Sequence, residues 1–266
     1  MNSQSSYLME STDENHRLNG KVNSKKFVQQ YLTNKFRSFS TILDVGCGPA
    51  SIAMELAQSF PDTSVFGLDI SVKRILEAKL LCHSQINLNL ISGDVYNIPV
   101  CGNTCDLVYS RLFFEYLKDP LAALKEMKRI CKPDGTVMIQ DLDGQFFWHY
   151  PENNQLNAQI IAIFHDLKKY TGFDPFVGRK LYYMFYDTVF HDIQVYIDPY
   201  HLIAGKINSK EYQYWKKKLS TVLPQLIKHS SMKLDEIQTI NDTFLAYLQR
   251  EDTLTFSNLF TVYGRK

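Results

Sequence analysis

Residues 41–50 read TILDVGCGPA, an apolar run that ends in an aspartate and leads into two glycines one residue apart. The β-branched and apolar residues indicate a short strand, and the glycines after it indicate a turn in which a ligand can approach the backbone closely. Such a turn can hold a phosphate group at the N-terminus of the following helix. It can also hold a different ligand, and the aspartate bears on that choice.

Length and composition bound the class of protein. The chain has 266 residues, of which 29 are basic and 28 acidic, so its formal net charge is +1. One substantial α/β domain fits this length, and the balanced charge gives no field that would attract nucleic acid or an anionic membrane. No segment has the apolar length of a signal peptide core or a membrane span, and the five cysteines are an odd number spread through predicted core elements. We expect a cytoplasmic protein with reduced thiols, no metal, no membrane span and no nucleic-acid partner.

Strands and helices alternate from about residue 41 to 142. The predicted strands are TILDV, SVFGLD, NLNLISGD, CDLVYS and TVMIQDLD, and the predicted helices are SIAMELAQSF, SVKRILEAKLLCH and the segment 119–130. Alternation of this kind implies right-handed crossovers and a parallel, doubly wound sheet with helices on both faces. Two further strand candidates, IQVYIDPYHLI and LTFSNLFTVYGRK, lie nearer the C-terminus.

The residues around the glycines favour a cationic ligand. Asp44 lies two residues before Gly46, so its carboxylate would lie close to a pyrophosphate, whereas it would attract a sulfonium or an α-ammonium group. The sixth position of the loop is Ser51, where a dinucleotide site has glycine or alanine. No Gly-Lys-Ser/Thr follows, which excludes a P-loop. An NAD(P) enzyme is therefore the less favoured class.

Two more aspartates end the next two predicted strands. Asp69 closes FGLD, where it can accept hydrogen bonds from both hydroxyls of a ribose, and Asp94 closes ISGD, where it can accept from an adenine amino group. Ile70 and Val95 follow them and can cover the faces of the base. A single aspartate often caps the next helix instead, but three at successive strand ends favour a ligand site.

Taken together, these segments resemble the class I S-adenosylmethionine-dependent methyltransferases over roughly residues 40–143. LDVGCGPAS is similar to their first motif, FGLD to the ribose position, ISGDVYNIP to the adenine position and CDLVYSRLFFEYLKDP to the fourth-strand motif; LKEMKRICKPDGTVMIQDLD resembles the helix, turn and fifth strand that follow. Ala50 stands where many members carry a third glycine. The resemblance implies S-adenosylmethionine as cofactor and S-adenosylhomocysteine as product. It also implies a seven-stranded, mostly parallel sheet whose last two strands form an antiparallel end.

The resemblance also implies a set of cofactor contacts. The N-terminal SYLMESTDENHRL looks like a lid of a subgroup that acts mostly on small molecules. The implied residues are Asp44, Gly46, Cys47 and Gly48 at the first motif, Asp69, Ile70, Asp94 and Val95 at the nucleoside, Ser110 and Arg111 beside the methyl group, and Tyr7 and Arg17 near the methionine end. The chain is then one methyltransferase domain, 1–266, with a lid (1–40), a core (41–143), a helical cap (144–190 and 207–250) and the last two strands (191–206 and 251–266).

Methyl transfer by in-line displacement requires alignment and a dry pocket, and it requires a base only when the acceptor arrives protonated. Many relatives carry a histidine about six residues after the fourth strand; Tyr116 stands here, and it can face the sulfonium or pack in the core. His149 is the other candidate base, although a histidine there is more often structural. Trp148 and Asp143 are candidate substrate contacts, and Asp143 can equally cap the next segment.

The expected function is methyl transfer to an oxygen or nitrogen of a small, aromatic or lipophilic molecule. Fifteen of the 35 aromatic residues lie between 146 and 200; most pack a helical cap on the core, and some can line an acceptor pocket. The alternatives are an RNA or protein methyltransferase of the same fold and a cofactor-binding relative without methyl transfer. The basic run KEYQYWKKK lies on a predicted helix, where its lysines mostly face solvent.

Overall fold

The computed structural model of the chain describes residues 23–33 and 39–266, and for 145–147 the backbone alone. Its strands are β1 (Thr41–Val45), β2 (Ser64–Asp69), β3 (Leu88–Ser92), β4 (Cys105–Arg111), β5 (Cys131–Tyr150), β6 (His191–Ala204) and β7 (Leu254–Arg265). They form one sheet in the order β3-β2-β1-β4-β5-β7-β6. The five N-terminal strands were all predicted, and both C-terminal strand candidates are strands of the sheet.

Helices connect and flank these strands. They are α1 (Ser24–Phe27), which a π-helical turn (Val28–Thr33) continues, α2 (Ser51–Ser59), α3 (Val72–Leu81), α4 (Pro120–Ile130), α5 (Asn154–Thr171), α6 (Leu181–Asp187), α7 (Ser209–His229) and α8 (Leu234–Tyr247). Two short 3₁₀ turns span Phe114–Tyr116 and Gly178–Lys180. None of these described helices has the length and apolar content needed to cross a bilayer.

The strand directions confirm a mostly parallel α/β sheet. β1 pairs in parallel with β2 and β4, and the ladder continues in parallel to β3 on one side and β5 on the other. β7 is antiparallel to both β5 and β6. β6 therefore runs in the same direction as the first five strands, and the antiparallel character of the C-terminal end belongs to β7 alone.

The two faces of the sheet follow from the period-2 alternation of its strands. Ile42 and Leu107 point to the face that α1, α2 and α3 cover, in one buried cluster. Leu43 and Val108, one residue further along each strand, point to the opposite face, which α4 and α6 cover in a second cluster. The predicted helices on both faces are confirmed.

The cap forms a third buried cluster, separate from the two faces. It joins apolar side chains of α5, α7 and α8, including Leu167, Trp215 and Phe244. These helices come from the two stretches predicted to form the cap, 144–190 and 207–250, which lie on either side of a predicted strand. β6 carries the chain between them, and in space they pack against one another.

β5 extends beyond its predicted end at Asp143. Gly144, at φ +76°, starts an irregular segment, and pairing with β7 resumes at Trp148 opposite Phe256. A Cβ at Gly144 would collide with the Trp148 indole, so only glycine allows the indole to pack against the backbone at this irregular point of the strand. Residues 144–150, assigned to the cap from the sequence, therefore belong to the sheet.

Asn87 links three segments at the opposite, amino-terminal edge of the strands. Its side-chain amide donates to the carbonyl oxygens of Ala57 (3.0 Å), Phe60 (3.1 Å) and Thr63 (2.9 Å), and its Oδ1 accepts from Gln85 Nε2. The last carbonyl groups of a helix have no N–H donor within the helix, and the Asn87 amide supplies donors for those at the end of α2. The Asn87 amide therefore joins the end of α2, the loop before β2 and the start of β3, and Gln85 Nε2 adds a bond of 3.2 Å to the Ala57 carbonyl oxygen.

We predict that Asn87→Asp destabilises the fold by about 2–3 kcal/mol, because it removes the donors and places a carboxylate against carbonyl oxygens. Urea unfolding followed by circular dichroism measures the change. Asn89→Asp, at an exposed position of β3, is the matched control and is expected to change the free energy of unfolding little. Equal effects of the two substitutions would contradict this account.

Candidate functional site

The carboxyl ends of β1 to β4 meet at one edge of the sheet. The parallel registers align Val45 with Leu68 on one side and with Ser110 on the other, and they align Asp69 with Ser92. Polar residues at these strand ends are therefore neighbours in space, at the edge where open α/β sheets bind ligands. Five of the predicted cofactor residues lie at this edge: Asp44, Asp69, Asp94, Ser110 and Arg111.

The turn after β1 wraps around the end of β2. Gly46 and Cys47 donate their N–H groups to the Leu68 carbonyl oxygen at 2.8 and 2.9 Å, and the Gly48 N–H donates to Asp69 Oδ2 at 3.0 Å. Gly46 and Gly48 have φ angles of +75° and +54°, in the left-handed region that glycine adopts without strain. The predicted glycine turn is therefore present, and it is fixed to the second strand.

The Gly46 position has no space for a side chain. A Cβ there would lie 2.6 Å from the ring of Phe113, which follows β4 and covers the turn. The Cys47 thiol is buried on the other side, against Gly67 of β2. The turn is thus packed from both sides, and its covering residue, Phe113, was not identified from the sequence.

Asp44 is buried beneath this turn, with 4% of its surface exposed. Burial raises the pKa of its carboxyl group from 3.8 to about 7; Tyr109 and Arg111 oppose the rise, and the Asp69 carboxylate adds to it. A carboxyl group whose ionised form is disfavoured in this way gains when a cation lies beside it. The position therefore suits a cationic ligand group.

The carboxylate of Asp69 is held by donors of its own chain. Besides the Gly48 N–H, the Ser71 N–H donates to Oδ1 at 2.9 Å and Arg74 Nη1 lies 3.4 Å from Oδ1. Both members of this ion pair are buried. A carboxylate has about four acceptor sites, so capacity remains for a ribose hydroxyl. The sequence did not identify Arg74, because a basic residue in the first turn of an amphipathic helix ordinarily faces solvent.

Asp94 and its neighbours form the outer part of the edge. Asp94 is exposed; its Oδ1 accepts from the Tyr96 N–H at 3.0 Å, and its backbone carbonyl oxygen accepts from the Asn97 N–H at 3.1 Å. Ile70 is half exposed, whereas Val95 is buried in the core beneath the edge. Ile70 is thus the better placed of the two to cover the face of a base.

Ser110 and Arg111 end β4, but both side chains turn towards the protein. Ser110 Oγ donates to the Val45 carbonyl oxygen at 2.8 Å. Arg111 Nε donates to Gln140 Oε1 at 2.8 Å, and the guanidinium carbon lies 5.5 Å from the centre of the Phe27 ring. These side chains tie β4 to its neighbours, which leaves their backbone atoms to border a ligand.

A buried carboxyl group fixes the chain that follows β4. Leu112 has a φ angle of +51°, a strained value for leucine, and the Phe114–Tyr116 turn begins two residues later. Oδ2 of Asp141, on β5, accepts from the N–H groups of Phe113 (3.0 Å) and Glu115 (3.2 Å). Burial and the neighbouring Glu115 carboxylate raise the pKa of the Asp141 carboxyl group well above its ordinary value. Glu115 was not identified from the sequence.

A cavity of about 80 Å³ lies between this turn and the cap. Tyr116 forms one wall, and α5, α7 and α8 supply most of the others. The Tyr116 ring also packs against Phe173, with 5.4 Å between the ring centres. The packing role expected for Tyr116 is therefore present, and its contact with a ligand stays a prediction.

The other predicted substrate residues lie along β5, and none of them is among the described residues that line this cavity. His149 is buried against Tyr247, with 4.6 Å between the ring centres, and burial lowers its pKa. Asp143 is bound by Arg179 through two contacts of 2.7 Å, and the guanidinium lies 5.6 Å from the Trp148 ring. The geometry favours the structural alternative for Asp143, which anchors the Gly178–Lys180 turn on β5.

Two predicted cofactor contacts, Tyr7 and Arg17, lie outside the described residues and stay predictions, as does the lid that contains them. Within residues 23–33 and 39–266, no group of three or more His, Cys, Asp and Glu side chains has the arrangement of a metal site. All five cysteines are free.

The segment that forms this edge of the sheet matches a known protein family. Residues 43–139 match a family profile described as a methyltransferase domain. That segment runs from within β1 to within β5, so it contains the glycine turn and all the strand ends described above.

Two curated relatives extend the match. An uncharacterized methyltransferase of Schizosaccharomyces pombe is 30% identical over 163 residues, which cover 57% of this chain and 56% of the relative. A demethylmenaquinone methyltransferase of a Geobacillus species is 32% identical over 169 residues, which cover 58% of this chain and 71% of the relative. The chain spans about half the length of the first curated relatives it matches.

A solved structure has the same fold. Phosphoethanolamine N-methyltransferase 2 of Haemonchus contortus, in complex with phosphomonomethylethanolamine and S-adenosylhomocysteine, superposes with a TM-score of 0.61 at 14% identity. The superposition covers 97% of this chain and 60% of that protein. With the sequence match to β1–β5 and the geometry of the glycine turn, these similarities establish that the chain belongs to the class I S-adenosylmethionine-dependent methyltransferases.

Proposed function

We propose that the chain transfers the methyl group of S-adenosylmethionine to an oxygen or nitrogen of a small, aromatic or lipophilic acceptor. The observation that carries the proposal is the buried carboxyl group of Asp44 beneath the glycine turn, with the Asp69 carboxylate beside it. Two carboxylates at one strand edge repel a pyrophosphate and attract a cation. S-adenosylmethionine carries two cationic groups, its sulfonium and its α-ammonium.

In the proposed reaction, a lone pair on the acceptor attacks the methyl carbon opposite the sulfur. The new O–C or N–C bond forms as the C–S bond breaks, and the electron pair of the C–S bond stays on sulfur, which leaves a neutral thioether. A proton on the acceptor atom, where there is one, passes to a base or to water. The sulfonium is already activated, so the protein contributes alignment and the exclusion of water. The fixed turn from Phe113 to Tyr116 and the cap above it serve these purposes.

The cap supports a small-molecule acceptor. The cavity beside Tyr116 is bounded by three helices and is lined mainly by apolar side chains. Small-molecule sites are usually of this kind, with a few polar groups among apolar walls. One matched relative is named a demethylmenaquinone methyltransferase, which is consistent with a small acceptor.

Two alternatives make different demands on the structure. An RNA methyltransferase requires a basic face, and a net charge of +1 offers little charge for one. A protein substrate requires an open cleft, whereas α5, α7 and α8 enclose the edge beside Tyr116. A third alternative is a protein that binds the cofactor without transferring its methyl group. Because fold does not fix function, only a measurement of methyl transfer distinguishes that protein from an enzyme.

A transfer assay tests the proposal. The protein is incubated with methyl-tritiated S-adenosylmethionine and with separate pools of small molecules, RNA and protein, and we expect label in the organic-extractable small molecules. Label confined to RNA or protein would refute the acceptor class. Cofactor binding by calorimetry without transfer to any pool would favour the non-enzymatic alternative, and no binding of S-adenosylmethionine or S-adenosylhomocysteine would end the proposal.

A second prediction concerns Asp44. We expect Asp44→Asn to weaken S-adenosylmethionine binding by about 10- to 100-fold, because it removes the buried negative charge at nearly constant volume. Isothermal titration calorimetry measures the dissociation constants. Asp62→Asn, at an exposed position before β2, is the control and is expected to bind like the wild type. Wild-type affinity in a folded Asp44→Asn protein would remove Asp44 from the site.

A third prediction follows from the raised pKa of Asp44, about 7 against 3.8. Without a ligand, the folded protein keeps the Asp44 carboxyl group protonated below pH 7, whereas the unfolded chain loses that proton at about pH 4. The folded protein therefore loses stability as the pH rises through 7. A cationic ligand favours the ionised form, so S-adenosylhomocysteine should bind more tightly at pH 7.5 than at pH 6, by up to about tenfold, with release of a proton.

Calorimetry in two buffers of different ionisation enthalpy detects that proton. Asp44→Asn should show neither the proton release nor the steeper pH dependence. A wild-type affinity that stays constant across this range would contradict the assigned role.

A further inference from the structure

The cavity beside Tyr116 is elongated along the helices of the cap. Its described lining residues on α5 run from Ile160 to Leu167, and those on α7 run from Lys218 to Leu226. At a rise of about 1.5 Å per residue, these two stretches are about 10–12 Å long. Side chains of α8 supply a third wall. A volume of about 80 Å³ spread over that length makes the cavity long and narrow.

Contacts at the ends of the helices give the cavity a direction. Tyr170, near the end of α5, stacks on His229, the last residue of α7, with 5.8 Å between the ring centres. The carboxyl ends of α5 and α7 therefore meet. Tyr116 packs against Phe173, which lies just beyond α5. Tyr116 thus stands at the carboxyl end of these helices, and Ile160 stands at the opposite end of the cavity, which we call the far end.

The Tyr116 end of the cavity adjoins the turn that the cofactor is proposed to occupy. Phe113, three residues before Tyr116, covers Gly46. A 3₁₀ turn rises about 6 Å over three residues, so the glycine turn and this end of the cavity are neighbours. An acceptor whose reactive atom lies beside the glycine turn then has the rest of its length directed along α5, towards Ile160.

The walls of the cavity are mainly hydrocarbon. Ten of the thirteen described lining residues are aliphatic or aromatic hydrocarbons, and the polar ones are Tyr116, Asn241 and Lys218. The Lys218 ammonium group lies 4.7 Å from the centre of the Trp215 ring, one turn earlier on α7, so it is directed away from the Tyr116 end. Each methylene group that leaves water for such a wall raises affinity by about threefold to fourfold.

We propose that the methyl acceptor carries an unbranched hydrocarbon chain, which occupies the cavity with its tip at Ile160. The reactive oxygen or nitrogen lies at the Tyr116 end. With carbon–carbon bonds of about 1.5 Å, a cavity about 10 Å long holds about six to eight carbon atoms. Ile160 determines the longest chain that fits. This inference rests on the proposed function, which makes the occupant a methyl acceptor, but the chain site itself can be tested without turnover.

The test is a series of primary alcohols from butan-1-ol to decan-1-ol, measured by calorimetry on the full chain. We expect the dissociation constant to fall about threefold to fourfold with each methylene group and to become constant at about six to eight carbons. Ile160→Phe fills the far end and should shift this plateau to shorter chains, whereas Ile160→Ala should shift it to longer ones. Ile161→Phe, at the exposed neighbouring position of α5, is the matched control and should leave the plateau unchanged.

Two further measurements test the shape of the site and its place. Cyclooctanol has as many carbons as octan-1-ol and should bind at least about tenfold more weakly. Octan-1-ol should still bind when S-adenosylhomocysteine saturates the protein, because the chain and the cofactor occupy neighbouring sites. Competition between the two would place the chain in the cofactor site and would overturn the proposal.

A wild-type series without a plateau, or equal or tighter binding of cyclooctanol, would also overturn it. So would a plateau that stays in place in the Ile160 variants; Ile160→Ala decides this point if Ile160→Phe does not fold. S-adenosylhomocysteine is titrated separately. Failure to bind it would end the proposed function, whereas the alcohol series would still decide whether the cavity is a chain site.

Discussion

The register of the parallel ladder around β1 is the constraint on which the candidate site depends. Asp44 is aligned with Gly67 on one side and with Tyr109 on the other, and all three share one face of the sheet. A slip of one residue would turn Asp44 to the opposite face, among the apolar side chains that α4 covers. Ile42 and Leu43 are buried on opposite faces and would stay buried after such a slip, so the cost of moving the Asp44 carboxyl group into an apolar environment is what opposes it.

Three buried carboxyl groups at the same edge are stabilised in three different ways. Asp69 has the Arg74 guanidinium and backbone N–H groups, whereas Asp141 has backbone N–H groups and a pKa that burial beside Glu115 raises. Asp44 instead has a pKa near neutrality, so a small change in its surroundings changes its charge. Groups that cost stability in the empty fold are characteristic of binding sites, because their interaction free energy is realised with the ligand.

Local patterns in the sequence were enough to predict the helices, the strands and the edge of the sheet that carries the candidate site. Strand alternation, glycine turns and aspartates at strand ends each depend on only a few neighbouring residues. The Ser71 and Asp119 side chains cap α3 and α4, as such patterns indicate. The pairing of Asp69 with Arg74 depends on how deeply α3 packs. The burial of Lys218, the last lysine of KEYQYWKKK, depends on which face of α7 meets α8. Neither is encoded in the local pattern, since the side chains would look alike on an exposed helix. The continuation of β5 was missed for the same reason, because the partner that sustains it, β7, lies more than a hundred residues away.

The cap has a further consequence for how specificity can change in this fold. Its cavity walls come from α5 on one side of β6 and from α7 and α8 on the other, with the first 3₁₀ turn contributing Tyr116. No contiguous segment of the chain encodes the pocket. Transplanting the α7–α8 hairpin from a relative would bring in only part of the wall and would set it against a foreign α5. Divergence of the proposed acceptor site therefore requires matched changes in segments that are distant in sequence, while the glycine turn after β1 can remain untouched.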